Sequence, residues 1–315
     1  MGAVLAALGT IGAVIALGAL VARLGVLGEH AAPVLARTVF TVATPCLMVT
    51  TVAHADLAAL VSRSAVVVWG STALVAVVAA LVLRLALRRD AADVTVGTLA
   101  ASYVNAGNLG LPLAVYLLGT PLAVVPTLLF QLLVLAPVGF AVLDAHRARG
   151  AAAAGGVRPP SGPRALVRRT FSNPIIVATL VGLVLAALPW DLPETVYAPF
   201  ALVGQAAAPV ALLTFGLSLG APRGTGAGTP RADLALVVVL RSVVHPLLAA
   251  GLARLVGLDD GETLAVVAMA ALPTAQNVLV YALQYGRGQP LARDAGLVTT
   301  VLAVPVLLVV AAVLG

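Results

Sequence analysis

The chain has no lysine: its 18 basic residues are all arginine. It has one cysteine, Cys46, so an intrachain disulfide is excluded, as is every metal site built on paired thiolates. Charged residues are scarce, at 10% of the 315 positions, where soluble domains carry roughly 25%. Aromatic residues reach only 4%. A water-facing exterior cannot be assembled from so few charges, which excludes an ordinary soluble domain.

What fills the chain is aliphatic. Hydrophobic residues make up 61% and the mean hydropathy is +1.11. A helix needs about 20 apolar residues to cross a bilayer core. Runs of that order fall at 2–22, 33–53, 64–83, 94–118, 121–143, 173–189, 196–220, 233–256, 262–286 and 294–314. The fold class expected is therefore an all-α polytopic membrane protein with ten transmembrane helices. The first run lacks a basic flank ahead of it, since the first arginine is Arg23, so it reads as a retained helix rather than a signal peptide. Counting the run ends with the loops they flank, loops after odd-numbered runs hold 15 of the 18 arginines and those after even-numbered runs hold Arg63 and Arg254, while Arg241 lies deep inside the eighth run. By the positive-inside rule the odd loops are cytoplasmic and both termini lie outside. The same rule accounts for the formal charge of +6 without any nucleic-acid partner. An alanine-, valine- and arginine-rich, lysine-free composition fits a GC-rich bacterial genome, hence a bacterial inner membrane.

One segment, 144–172, lacks hydrophobic periodicity and is rich in Gly, Ala, Pro and Arg. It reads as a flexible cytoplasmic linker between a first five-helix repeat at 1–143 and a second at 173–315. An odd number of helices per half makes the two halves cross in opposite senses, an inverted repeat. "ATPCLMVT" at 43–50 and "AAPVALLT" at 207–214 share three identities, pairing Pro45 with Pro209. Pro112 and Pro273 pair in the fourth helix of each half, 161 residues apart against 164 for the first pair.

These fourth helices are the most polar. "NAGNLGLPLA" at 105–114 places Asn105, Gly107, Asn108, Gly110 and Pro112 within an apolar run, and "LPTAQN" does likewise in the ninth. Proline removes a donor and clashes with the carbonyl four residues earlier, on Asn108 and on Met269. Freed backbone groups persist in hydrocarbon only where protein or a watery cavity satisfies them. Each break also creates a helix N-terminus, which attracts anions. Asn105, Asn108, Pro112, Pro273, Thr274, Gln276 and Asn277 are therefore the candidate substrate site, holding an anion with amides and dipoles and no buried cation. Kinks and interhelical asparagines are common in membrane helices; matching positions in two opposed halves favour the site.

Further polar positions have two readings. Arg241 and His245 share one face of the eighth run; Arg241 lies about 12 Å from Asp233, within snorkelling reach of the interface. Snorkelling is the expectation for Arg241 and hydrogen-bonded packing for His245, with gating the alternative for both. Pro45, Pro209, Tyr103 and Tyr281 are candidate pocket or gating residues. Gln131 and Gln205 are candidate walls that helix packing explains equally well. All 12 carboxylates fall in loops or at helix ends, so the buried acid of a proton relay is missing. No H-E-x-x-H and no nucleophile–base pair lies at depth, so the chain is expected not to be an enzyme, and the linker offers no output domain for a receptor.

"NAGNLGLPLAVYLLG", "ALPTAQNVLVYALQYG" and the stretch at 173–220 resemble the auxin efflux carrier family, which includes PIN-like and bacterial organic-anion carriers. The resemblance implies broken helices 4 and 9 crossing at Pro112 and Pro273, as in NhaA- and bile-acid-symporter-like folds. It implies scaffold and transport subdomains drawn from both repeats, an elevator motion, a homodimer, and small carboxylates such as malonate, malate or auxin-like acids as substrates. Asn105 matches the substrate-facing asparagine of the plant carriers, whereas Gln276 and Asn277 depart from the plant pattern, which puts auxin itself in doubt. No cofactor is implied. Coupling to Na+ or H+ stays open beside uniport, since an anion leaving a negative-inside cell gains about 2.3 kcal/mol per charge at 100 mV. Export is the expected direction; a sodium-coupled symporter of the bile-acid type is the alternative.

Overall fold

The computed structural model describes residues 2–28, 30–54, 62–110, 113–114, 118, 121–153, 172, 174–188, 193–220 and 228–314. The described residues are helical apart from turns and one isolated antiparallel bridge. In chain order the helices are α1 (Gly2–Arg23), α2 (Ala31–Ala53), α3 (Arg63–Ala86), α4 (Ala91–Ser102), α5 (Val125–Arg149), α6 (Pro174–Ala187), α7 (Glu194–Gln205), α8 (Ala207–Gly220), α9 (Arg231–Val256), α10 (Asp260–Ala270), α11 (Gln276–Tyr285) and α12 (Gln289–Leu314). Among the described residues six spans are long and apolar enough to cross a membrane: α2, α3, α5, Glu194–Thr214 through α7 and α8, α9 and α12. Large aliphatic side chains cover the outside, with Leu255 83% and Leu202 and Val313 each 72% exposed. An exterior of that kind is matched by lipid, not water.

Local chemistry fixes the helix ends. Asp90 caps α4 by accepting from the Ala92 and Asp93 N–H groups, both at 2.9 Å, and Asp259 and Glu262 form a reciprocal capping box at the start of α10. Gly257 and Gly286 end α9 and α11 in the left-handed conformation, at φ +70° and +69°. Arg287 reaches back to Asp90 and Asp93, tying the α11–α12 turn to the start of α4. Burial alone would raise the Asp90 carboxyl; the Asp93 N–H and the Arg287 guanidinium outweigh it and hold it below its ordinary value.

The helices pack in two groups. In the first, α1 lies along α8, and α2 packs against α6, α7 and α8. Glycines set these distances: a Cβ on Gly18 would meet the Leu213 carbonyl oxygen at 2.3 Å, and one on Gly216 would meet that of Ile15 at 2.1 Å. The second group joins α3, α4, α5, α9, α10, α11 and α12. Two expectations change here. α5 continues past Asp144, which sits inside it, buried, rather than in a loop. The fourth run leaves the helix at Tyr103, where the backbone is extended, well ahead of Pro112. Pro112 itself lies outside the described residues, as does most of the 144–172 linker.

Candidate functional site

The two breaks meet. Between α4 and the helical turn Ala106–Gly110, and between α10 and α11, the chain is extended and pairs antiparallel, with Val104 opposite Thr274. The Asn105 N–H donates to the Pro273 carbonyl and the Ala275 N–H to the Tyr103 carbonyl, each at 2.9 Å. Neither segment is then free to complete its own helix. The Thr274 hydroxyl donates to the Ala100 carbonyl at 2.7 Å, and the Thr274 N–H donates to Thr299 Oγ1 at 3.0 Å. Thr274 thus serves the junction itself.

Beside this junction is a small cleft. Tyr103, Asn105 and Gly107 line it from the first break, Ala275 and Asn277 from the second, and Leu128 and Gln131 from α5. The opposite wall is Thr44, Leu47 and Met48 of α2 with Ala207 and Ala211 of α8, so the cleft lies between the two helix groups. Asn277 lies in the first turn of α11, whose N–H groups carry the positive end of that helix dipole. The arrangement offers neutral donors and a positive helix end, suited to an anion. Among the described residues no cluster of His, Cys, Asp or Glu could hold a metal ion.

The expected site residues distribute unevenly. Asn105 and Asn277 reach the cleft, and so does Tyr103, whose hydroxyl interacts with Tyr281 and Asn277. Gln276 lines a second, mostly apolar cleft that it shares with Asn277 and with α2 and α8. Pro273 and Thr274 build the junction. Asn108 lies in the turn after the break, its side chain outside the described residues. Tyr281 is buried against the rings of Phe40, Tyr103 and Phe140 and does not border the cleft. Pro45 opens a helical turn of α2 beside Thr44, while Pro209 is exposed. Gln205 is exposed too. Gln131 is 1% exposed and both its amide atoms lack a hydrogen-bond partner. Its only sequence signal is being the one amide in its run.

Arg241 corrects two expectations. It does not snorkel: it is 0% exposed, in the π-helical turn Leu240–Val244, with its guanidinium turned inward. It donates to the Ala101 carbonyl at 3.2 Å, to the Ala270 carbonyl and to His245 Nδ1. The interior carbonyls hold the head group because both belong to helix ends that the breaks left unpaired. A buried cation therefore stands behind the junction, although it does not line the cleft. His245 is packed and hydrogen-bonded as expected, its Nε2 3.3 Å from Thr72 Oγ1 and 3.4 Å from Ser71 Oγ.

Comparison with known proteins identifies the family. The family model described as "Membrane transport protein" matches residues 4–154 and 161–311. A protein of Rhizobium meliloti (strain 1021) described as "Putative malonate transporter" is 30% identical over 223 residues. That alignment takes in 69% of this chain and 66% of the relative, so a third of the relative's length has no counterpart in it.

Proposed function

The chain belongs to the membrane transport protein family, and from that premise we propose that it is a secondary carrier of small organic anions, with dicarboxylates of malonate size foremost. One observation carries the reading. The antiparallel pairing of Val104 with Thr274 brings Asn105 and the α11 N-terminus, with Asn277, to one cleft between two helix groups. Amides and a helix end bind a carboxylate without a salt bridge in the cleft, so the anion is held and then released. The relative's description supports malonate as the first substrate to try.

In this reading the ten runs form two inverted five-helix repeats, at 1–143 and 173–315, joined by the 144–172 linker. The α1, α2, α6, α7 and α8 group is the scaffold and the other group moves as an elevator, carrying the substrate past the α2 and α8 wall. The carrier works as a homodimer in the bacterial inner membrane, with both termini outside and export as its direction. Solid-supported-membrane currents from proteoliposomes test it, with malonate, malate and monocarboxylates as substrates and Asn105→Ala in parallel. A carboxylate current that the variant loses supports the site; currents from cations or neutral solutes alone would sink it.

A further inference from the structure

We infer that the Arg241 guanidinium is a built-in cation, filling the carbonyl site at the two broken helix ends where a coupled carrier would bind sodium. Transport is therefore sodium-independent. This rests on the carrier reading above.

The backbone accounting carries the inference. In an unbroken α4 the Ala101 carbonyl would accept from the N–H of residue 105, but that N–H donates to Pro273. In an unbroken α10 the Ala270 carbonyl would accept from the N–H of residue 274, but that N–H donates to Thr299. The neighbouring ends find other partners: the Ala100 carbonyl takes the Thr274 hydroxyl and the Met269 carbonyl takes the Leu272 N–H at 3.3 Å. Of the carbonyls at these ends, those of Ala101 and Ala270, one from each half, lose their helical donors, and each lies at the negative end of a half-helix dipole. Helix ends and unwound carbonyls of this kind are the groups that coordinate sodium in broken-helix carriers.

Arg241 takes both. Its planar fork of N–H groups bridges two acceptors that a single spherical ion would otherwise draw together. Among the described residues no carboxylate pairs with it. The remaining contact is chosen to keep the charge single. His245 Nδ1 accepts from the guanidinium, so the imidazole is neutral, with its proton on Nε2 toward the Thr72 and Ser71 hydroxyls. Ser71 in turn donates to the Val68 carbonyl at 3.2 Å, leaving its lone pair toward the ring. One fixed positive charge therefore stands at the junction, supplied by the chain and present whether or not substrate is bound.

The test compares carboxylate currents in sodium and in choline media, together with thermal unfolding in detergent. Wild-type currents are expected to be equal in the two media, and its unfolding midpoint indifferent to sodium. Arg241→Ala is expected to lose the current and to unfold at lower temperature, with part of both restored by millimolar methylguanidinium or sodium but not by tetramethylammonium. Arg241→Lys is expected to keep a sodium-independent current. A wild-type current that needs sodium, or Arg241→Ala working unaided in choline, overturns the inference and leaves the carrier reading intact. If no carboxylate gives a wild-type current, the carrier reading fails instead, and cation-selective recovery of the Arg241→Ala midpoint still decides the inference. Should Arg241→Ala not fold, the wild-type and Arg241→Lys sodium titrations decide it.

Discussion

The Asn105 N–H donates to the Pro273 carbonyl at 2.9 Å, joining the fourth run of the first half to the fourth run of the second. Around that bond, groups freed by the two breaks take partners across the junction: the Tyr103 carbonyl accepts from the Ala275 N–H, the Ala100 carbonyl from the Thr274 hydroxyl, and the Ala101 and Ala270 carbonyls from Arg241. Thr274→Val removes the hydroxyl that serves the Ala100 carbonyl while keeping the side-chain shape. A buried acceptor left without its donor costs about 1–3 kcal/mol. Denaturant unfolding in detergent should show a loss of that size, accompanied by slower transport.

Asn105→Ala and Asn277→Ala should each weaken substrate binding by roughly three- to tenfold, the worth of one neutral hydrogen bond. Asn105→Asp should do more, because it sets a like charge against the anion. Concentration dependence of the transport current reads both effects. An Asn105→Asp carrier with wild-type affinity would move the substrate to another part of the molecule.

Gln131 behaves oppositely in stability and in function. Its amide is buried with neither end bonded, a cost of about 1–3 kcal/mol to the empty carrier. Gln131→Leu should therefore raise the unfolding midpoint or leave it unchanged. It should also lower affinity for carboxylates, whose oxygens the amide would otherwise meet in the cleft. A variant that gains stability and transports normally would make Gln131 a packing residue only.

Gly216→Val tests the α1–α8 contact. The new side chain would collide with the Ile15 carbonyl and the Gly18 backbone, neither of which can rotate away. Overpacking costs about 1–3 kcal/mol where side chains can adjust, and more is expected against backbone. Yield of folded protein by size-exclusion chromatography should fall sharply, whereas Gly12→Val, with open space around its Cβ, should express normally.

The parts legible in the sequence are those with a local cause. Ten apolar runs and an arginine-only charge pattern specify a helical membrane protein, because hydropathy over about 20 residues needs no partner to be read. The segments 105–114 and 272–277 read as places where a helix breaks, because proline and clustered amides disfavour a helix in lipid wherever the chain goes next. The tertiary structure decided the rest. The first break falls at Tyr103 rather than at the glycines and proline that follow, because pairing with the second break takes the Asn105 N–H out of its own helix. Arg241 points inward rather than to the interface, because two carbonyls left unpaired by those breaks lie within its reach. Both outcomes depend on hydrogen bonds between segments well separated along the chain. Composition and spacing mark where such bonds are needed; only the packed helices determine which groups make them.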